Sequence, residues 1–150
     1  MKIIIDTREQ NPYRFADCET TSGTLASGDY SIAGIEDLVA IERKELSDFL
    51  ACCGRERDRF KRELKRLQAY RCKAVVIEAD LGTILAGDYR SQIAPASVIG
   101  SMASWTSRYQ VAFILAGNRR GGQEMTLALL RTFWGQCSEF AEVFVEVGGN

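Results

Sequence analysis

The chain has 150 residues, 46% hydrophobic and 26% charged, with a formal net charge of −1 at pH 7, enough for one domain that buries about two thirds of its unfolded surface. It contains no histidine, which excludes histidine-based triads, imidazole-ligated zinc hydrolases and nucleases with a histidine general base. No apolar run approaches the ~20 residues of a membrane span, the N-terminus lacks a signal-peptide core, and the five cysteines are odd in number with no C-x-x-C; we expect a soluble cytoplasmic protein with reduced thiols, no zinc site and no disulfide framework.

Any hydrolytic chemistry must therefore run on carboxylates, lysine and a metal-bound water. There is also no G-x-x-x-x-G-K-[ST] loop and no strand-linked G-x-G-x-x-G, so a nucleotide cofactor has no support.

In chain order, Ile3-Ile4-Ile5 is an apolar strand that runs into Asp6-Thr7-Arg8-Glu9. Gly28-Asp29-Tyr30-Ser31-Ile32 is a short strand opened by a glycine, residues Ala33 to Asp37 offer a turn, and Leu38-Val39-Ala40-Ile41 is a buried strand. The pair predicts a hairpin that returns Asp29 close to Glu42. The third strand ends in Glu42-Arg43-Lys44, where residues two apart share a face: Glu42 and Lys44 project together and Arg43 points away. Buried charges are costly unless paired, hydrogen-bonded or bound to a metal. A strand-end salt bridge satisfies that condition, and so does a hard cation held by the oxygens of Asp29 and Glu42, with Lys44 beside an attacking water.

Leu46, Phe49, Leu50 and Cys53 follow the spacing of a helix face, interrupted at Gly54. A second helix resumes near Arg55 with Phe60, Leu64 and Leu67 as its apolar stripe. From Arg55 to Lys73 nine basic residues stand against three acidic ones, a local net of +6 that leaves the remainder at −7. One basic helix in an acidic domain makes an oriented field suited to phosphate; the bland alternative is a solvated face with pairs such as Glu56 with Arg59 and Asp58 with Arg62. Val75-Val76-Ile77-Glu78 predicts a central strand, Asp80 to Ala86 a short helix, Ser91 to Tyr109 a helix with Pro95 near its start, and Val111 to Leu115 another buried strand. Gly117 to Gly122 reads as a loop and Gln123 to Trp134 as an amphipathic helix. Alternating strands and helices point to an α/β layered domain.

The ordered set Ile3-Ile4-Ile5-Asp6-Thr7-Arg8-Glu9, Gly28-Asp29-Tyr30 and Glu42-Arg43-Lys44-x-x-x-Asp48-Phe49 resembles the nuclease domain of the XPF/Mus family of structure-specific DNA endonucleases. The match continues through Arg59-Phe60, Leu64 to Leu67 and Val75 to Glu78, and weakens after that. The resemblance implies a restriction-endonuclease-like α/β core with a central mixed sheet flanked by helices. It also implies Mg2+ or Mn2+ as cofactor, and cleavage of branched, flapped or forked DNA. Carried over by position, Asp29 and Glu42 would be metal ligands, with Asp6 as a third, and Lys44 would serve the attacking water or the scissile phosphate. Arg8, Glu9, Arg43 and Asp48 would complete or support the catalytic set, and Arg55, Arg59, Arg62, Lys65 and Arg66 would hold DNA. The chain ends too early for the tandem helix-hairpin-helix module that many members carry, so residues 1–150 are expected to be a single nuclease domain. A bacterial or phage origin and a homodimer are further implications of the resemblance, with Phe133, Trp134, Phe140, Val143, Phe144 and Val145 as interface or core.

The expectation is a divalent-metal-dependent endodeoxyribonuclease. Two other readings stand beside it: a non-catalytic DNA-binding or scaffold subunit that keeps the fold, and another restriction-like nuclease with a different substrate.

Overall fold

The computed structural model describes the backbone of residues 1–148 and the side chains of residues 1–141; Val143, Phe144 and Val145 fall outside the described side chains. Six strands, β1 (Lys2–Asp6), β2 (Glu19–Gly23), β3 (Tyr30–Ile32), β4 (Val39–Lys44), β5 (Cys72–Ile77) and β6 (Ala112–Leu115), form one sheet in the order β2-β1-β3-β4-β5-β6. The sheet is mixed: β3 runs antiparallel to β1 and β4, while β1 with β2, β4 with β5 and β5 with β6 are parallel. Five helices complete the chain: α1 (Leu46–Cys53), α2 (Arg57–Leu67), α3 (Leu81–Ala86), α4 (Pro95–Tyr109) and α5 (Arg119–Gly148).

The period of two along each strand sorts the apolar residues into two cores. Ala40, Val75 and Ile77 face α1, α2 and α4 with Phe49, Phe60, Leu64 and Trp105. Ile3, Tyr30, Val39, Ile41, Ala74 and Val76 face α5 through Leu130 and Phe133. The same alternation carries past the apolar run, so Glu42 and Lys44 continue the Ala40 face and Arg43 continues the Ile41 face. One strand thus delivers charge to both sides of the sheet.

Four features differ from the sequence reading, one of them the helix expected to end at Trp134, which runs on to Gly148. The edge strand β2 has the sequence Glu-Thr-Thr-Ser-Gly; its polar run, without alternation, carries no strand signal, and it pairs through backbone along β1 with a Lys2–Glu19 ion pair at 2.8 Å. The helix expected from Ser91 begins at Pro95, because proline is best tolerated in a first turn. The segment from Arg119 to Gly122, read as loop, is already helical. Asn118 Oδ1 accepts the Gly121 N–H at 2.9 Å and so caps the start of α5. The two glycines serve close approach: a Cβ at Gly121 would meet the Ala116 carbonyl oxygen, and one at Gly122 the Tyr13 hydroxyl. Gly122→Ala should therefore cost about 1–3 kcal/mol by overpacking. Gly135→Ala, which meets nothing within 4 Å, should stabilise by about 0.5–1 kcal/mol; paired thermal melts check both.

Candidate active site

Gly28 brings the first carboxylate into place. Its φ of 78° lies in the left-handed region, and a Cβ there would sit 3.2 Å from Ala40 Cβ and from the Ile41 backbone, so only glycine lets this turn lie against β4. Asp29 follows, donating its N–H to the Ile41 carbonyl at 2.9 Å and accepting the Asp6 N–H on its own carbonyl at 2.8 Å. The Arg43 N–H donates to Asp29 Oδ2 at 2.7 Å. On the same face Lys44 Nζ donates to Glu42 Oε1 at 2.7 Å, with side-chain exposures of 17% and 13%. Asp29, Glu42 and Lys44 therefore converge, as the hairpin and the E-x-K spacing predict.

The electrostatics of this group are not those of a relaxed ion pair. Burial, and then the Glu42 carboxylate, push the Asp29 carboxyl up to about 8, against the opposing Arg43 N–H and Lys44. Burial also raises Glu42, with Lys44 opposing. Burial works against the Lys44 ammonium, but Glu42 outweighs it and keeps the lysine charged. Two carboxylates thus share one cation. Among the described residues no three His, Cys, Asp or Glu side chains converge as a metal cluster; Asp29 and Glu42 form a pair of hard oxygen donors at a cavity of about 240 Å³ that Arg8, Lys44, Arg59, Glu63 and Arg66 also line.

Asp6 lies on this face but is committed elsewhere. Its Oδ1 accepts the Arg8 N–H at 2.9 Å and Nε at 2.7 Å, and its Oδ2 accepts Arg8 Nη2 at 3.0 Å and the Leu25 N–H at 2.8 Å. The Arg8 hydrogen bonds hold its carboxyl below the ordinary value against the effect of burial. All the strong acceptor positions of Asp6 are used, so the ligand role expected for it does not match this geometry. It instead fixes Arg8, whose side chain is 69% exposed and lines the cavity.

Arg43 belongs to the opposite face. Its Nε donates to Glu78 Oε1 at 2.7 Å, and its Nη2 to Glu78 Oε2 at 3.2 Å and Glu45 Oε1 at 2.9 Å; Nη1 lies 3.4 Å from Glu9 Oε1. Its guanidinium also lies 5.3 Å from the centroid of the Tyr13 ring, whose hydroxyl donates to Glu78 Oε1 at 2.7 Å. Arg43 acts on the site through the N–H that holds Asp29, while Glu9 lines a cavity together with Asp29, Glu42, Lys44 and Asp48. Asp48 is an exposed residue in the first turn of α1; Lys44 pairs with Glu42 and not with it, although both line the neighbouring cavities.

Along α2, Arg59 and Arg66 line the cavity of the carboxylate pair, and Arg55 and Arg59 line the adjoining one with Lys44. Arg62 and Lys65 are exposed but line neither. Of the intrahelical pairs in the solvated-face reading, Arg59 lies 3.7 Å from Glu56 and the structure shows no Asp58–Arg62 bridge among the described residues; Arg59 instead also lies 3.7 Å from Glu63. Sequence reasoning missed three contributors. Tyr13 and Glu78 support Arg43, and Arg57 ties α2 to α4 by donating to Ser101 Oγ at 2.7 Å while lying over the Trp105 ring. Glu78 had a signal, a carboxylate directly after the apolar run Ala74 to Ile77; Tyr13 sits in a stretch with no periodicity to place it.

The fold is a mixed six-stranded sheet flanked by helices, of the restriction-endonuclease-like class, with an acidic pair and a lysine at the ends of adjacent strands. The chain belongs to the ERCC4 domain family, whose model matches residues 5–129. XPF from Aeropyrum pernix has a similar solved structure, with a TM-score of 0.73 at 20% identity over 98% of this chain and 72% of that one. XPF from Aeropyrum pernix in complex with DNA is similar at a TM-score of 0.69 and 19% identity, over 90% of this chain and 66% of that one. No curated protein matches the sequence. Among the described residues no helix is long and apolar enough to cross a membrane.

Proposed function

We propose that the chain is a divalent-metal-dependent DNA endonuclease that cuts at branched, flapped or forked structures. The observation that carries this reading is the half-buried pair Asp29 and Glu42, with Lys44 hydrogen-bonded to Glu42, at a cavity lined by arginines. Such a donor set fits Mg2+ or Mn2+: the two carboxyls offer hard oxygen donors at one cavity, and Mg2+ is commonly held by one or two carboxylates together with waters and substrate phosphates. When bound, the ion supplies charge neutralisation at the scissile phosphate and a more acidic water. The protein's own groups do the rest. Arg8, its Nε and Nη2 held by Asp6 and Leu25, offers Nη1 to a phosphate oxygen, Lys44 holds its ammonium where negative charge develops, and Arg55, Arg59, Arg62, Lys65 and Arg66 hold the backbone without reading sequence. The solved XPF–DNA complex on the same fold supports a DNA partner. Exposed Trp134 and Phe140 on α5, at 36% and 57%, support a homodimer, which sedimentation of the purified chain tests. Five free cysteines suit a reducing cytoplasm.

Lys44 tests the chemistry. Lys44→Ala should lower the single-turnover rate about 100-fold or more, the scale of one electrostatic stabiliser, with little change in affinity, and Lys44→Arg should not fully rescue it. Melting temperature measured on the same preparations separates this from a purely structural lysine, for which stability falls and turnover per folded molecule stays normal.

The basic helix is tested by salt. If Arg59 and Arg66 each neutralise a phosphate of duplex DNA, replacing either by alanine should reduce the slope of log affinity against log salt by about 0.9. An unchanged slope returns α2 to a solvated face.

A further inference from the structure

Beyond the carboxylate pair, a larger cavity of about 740 Å³ opens between α1 and the loop before α4. Leu46 and Leu50, one helical turn apart, form one wall; Tyr89 and Ile93 form the other. The Tyr89 hydroxyl donates to the Ile93 carbonyl at 2.8 Å, which holds the ring in place. Arg55 and Arg90, both exposed, line the same cavity, where Asp88 is the one carboxylate.

We propose that this groove binds an unpaired DNA strand as it leaves the candidate active site. The inference rests on the nuclease reading for the identity of that neighbouring site. An apolar, aromatic floor with cationic residues beside it is what single strands need, since bases stack on side chains while phosphates meet arginine. A duplex cannot use such a floor, because its base faces are covered by neighbouring pairs. The groove is also continuous with the site: Ala51 and Arg55 line both it and the cavity of Lys44 and Asp48. Only α1, eight residues and so about 12 Å long, separates Lys44 from the far end, a span of a few nucleotides. The occupant is thus the unpaired arm that would distinguish a flap or fork from plain duplex.

The test uses the whole chain and fluorescent oligo-dT, with iododeoxyuridine placed along it for photocrosslinking. Crosslinks should map to Tyr89. Tyr89→Leu should weaken oligo-dT binding about tenfold, the scale of removing one base–aromatic stack, and Tyr89→Phe should retain it. Arg90→Ala should lower the salt slope by about 0.7. Cleavage of a flap substrate by the wild type is measured alongside. Cleavage without crosslinks at residues 88–93, or with full affinity in Tyr89→Leu and Arg90→Ala, overturns the groove and leaves the nuclease reading standing. Crosslinks at Tyr89 without cleavage sink the nuclease reading and keep the groove. Absence of both overturns both, and a groove found to be filled by a second copy of the chain or by an apolar peptide overturns the groove alone.

Discussion

Asp29→Asn and Glu42→Gln should each abolish cleavage, and Asp29→Asn should also make the metal-free protein more stable. The loss of rate is expected to reach at least about 100- to 1,000-fold, the scale of losing an electrostatic contribution to the transition state, with DNA affinity largely kept because the phosphate contacts proposed for Arg8 and the basic residues around α2 are left intact. The gain in stability follows from the pKa direction. Asp29 is raised from 3.8 to about 8 by burial and by Glu42, so the folded state favours the protonated carboxyl. Its contribution is fully present below the unfolded value and is lost as pH rises through about 8. Asparagine removes that loss, so the variant should melt above wild type at pH 8 and match it more closely near pH 4. Added Mg2+ should raise the wild-type melting temperature, by mass action on the folded state, and have little effect on either variant. A neutral variant that melts lower at pH 8 and still responds to Mg2+ would place the ion elsewhere.

Arg43→Ala should be among the most destabilising single changes, at about 3–5 kcal/mol, because removing one member of a buried ionic group leaves uncompensated charge. Arg43, Glu78 and Glu9 have side-chain exposures of 7%, 9% and 9%. Without the guanidinium, two carboxylates remain buried side by side, and the Arg43 N–H that orients Asp29 loses its anchor on the other face. In a chain of 150 residues the melting temperature should fall on the order of 10 °C. The pH dependence carries a second signature. Burial acts to raise the Glu78 carboxyl, but the hydrogen bonds from Arg43 and Tyr13 outweigh it and hold it below 4.5. The stability from this pairing is in place above pH 4.5 and is lost as pH falls through the lowered folded value. Arg43→Ala should lose that acid limb, and a double change of Arg43 to Met and Glu78 to Leu should recover part of the stability, since apolar replacement of both partners is close to neutral. Melts across pH for the single and double variants measure the coupling; additive losses would dissolve the network.

The chemistry was more legible in the chain than the scaffold that holds it. Glu42 and Lys44 announce themselves because a period of two at the end of an apolar strand fixes which face each takes, and the hairpin through Gly34 places Asp29 beside them with no long-range information. Asp6 marks the limit of spacing: its position at a strand end resembles that of a ligand, Arg8 two residues later folds back onto it, and spacing alone does not separate a carboxylate that binds an ion from one that binds an arginine. The network behind Arg43 was illegible because Tyr13, Glu78 and Glu9 meet only when the sheet is assembled. β2 was missed because an edge strand needs backbone pairing and no apolar pattern, and the early start of α5 because Gly121 and Gly122 are there for close approach to Ala116 and Tyr13, a requirement that exists only in the folded state.

The central claim, that Asp29 and Glu42 form a metal-dependent site for branched DNA, is tested most directly by one gel. Flap, fork, junction and linear duplex substrates are incubated with wild type, Asp29→Asn and Glu42→Gln, each with Mg2+ and with chelator, and binding is measured on the same samples. The expected result is cleavage of the branched substrates by wild type with Mg2+ alone, with both variants bound to DNA and inert. Cleavage by either variant, or by wild type in chelator, would contradict the site, and linear duplex cut as fast as flap or fork would contradict the substrate.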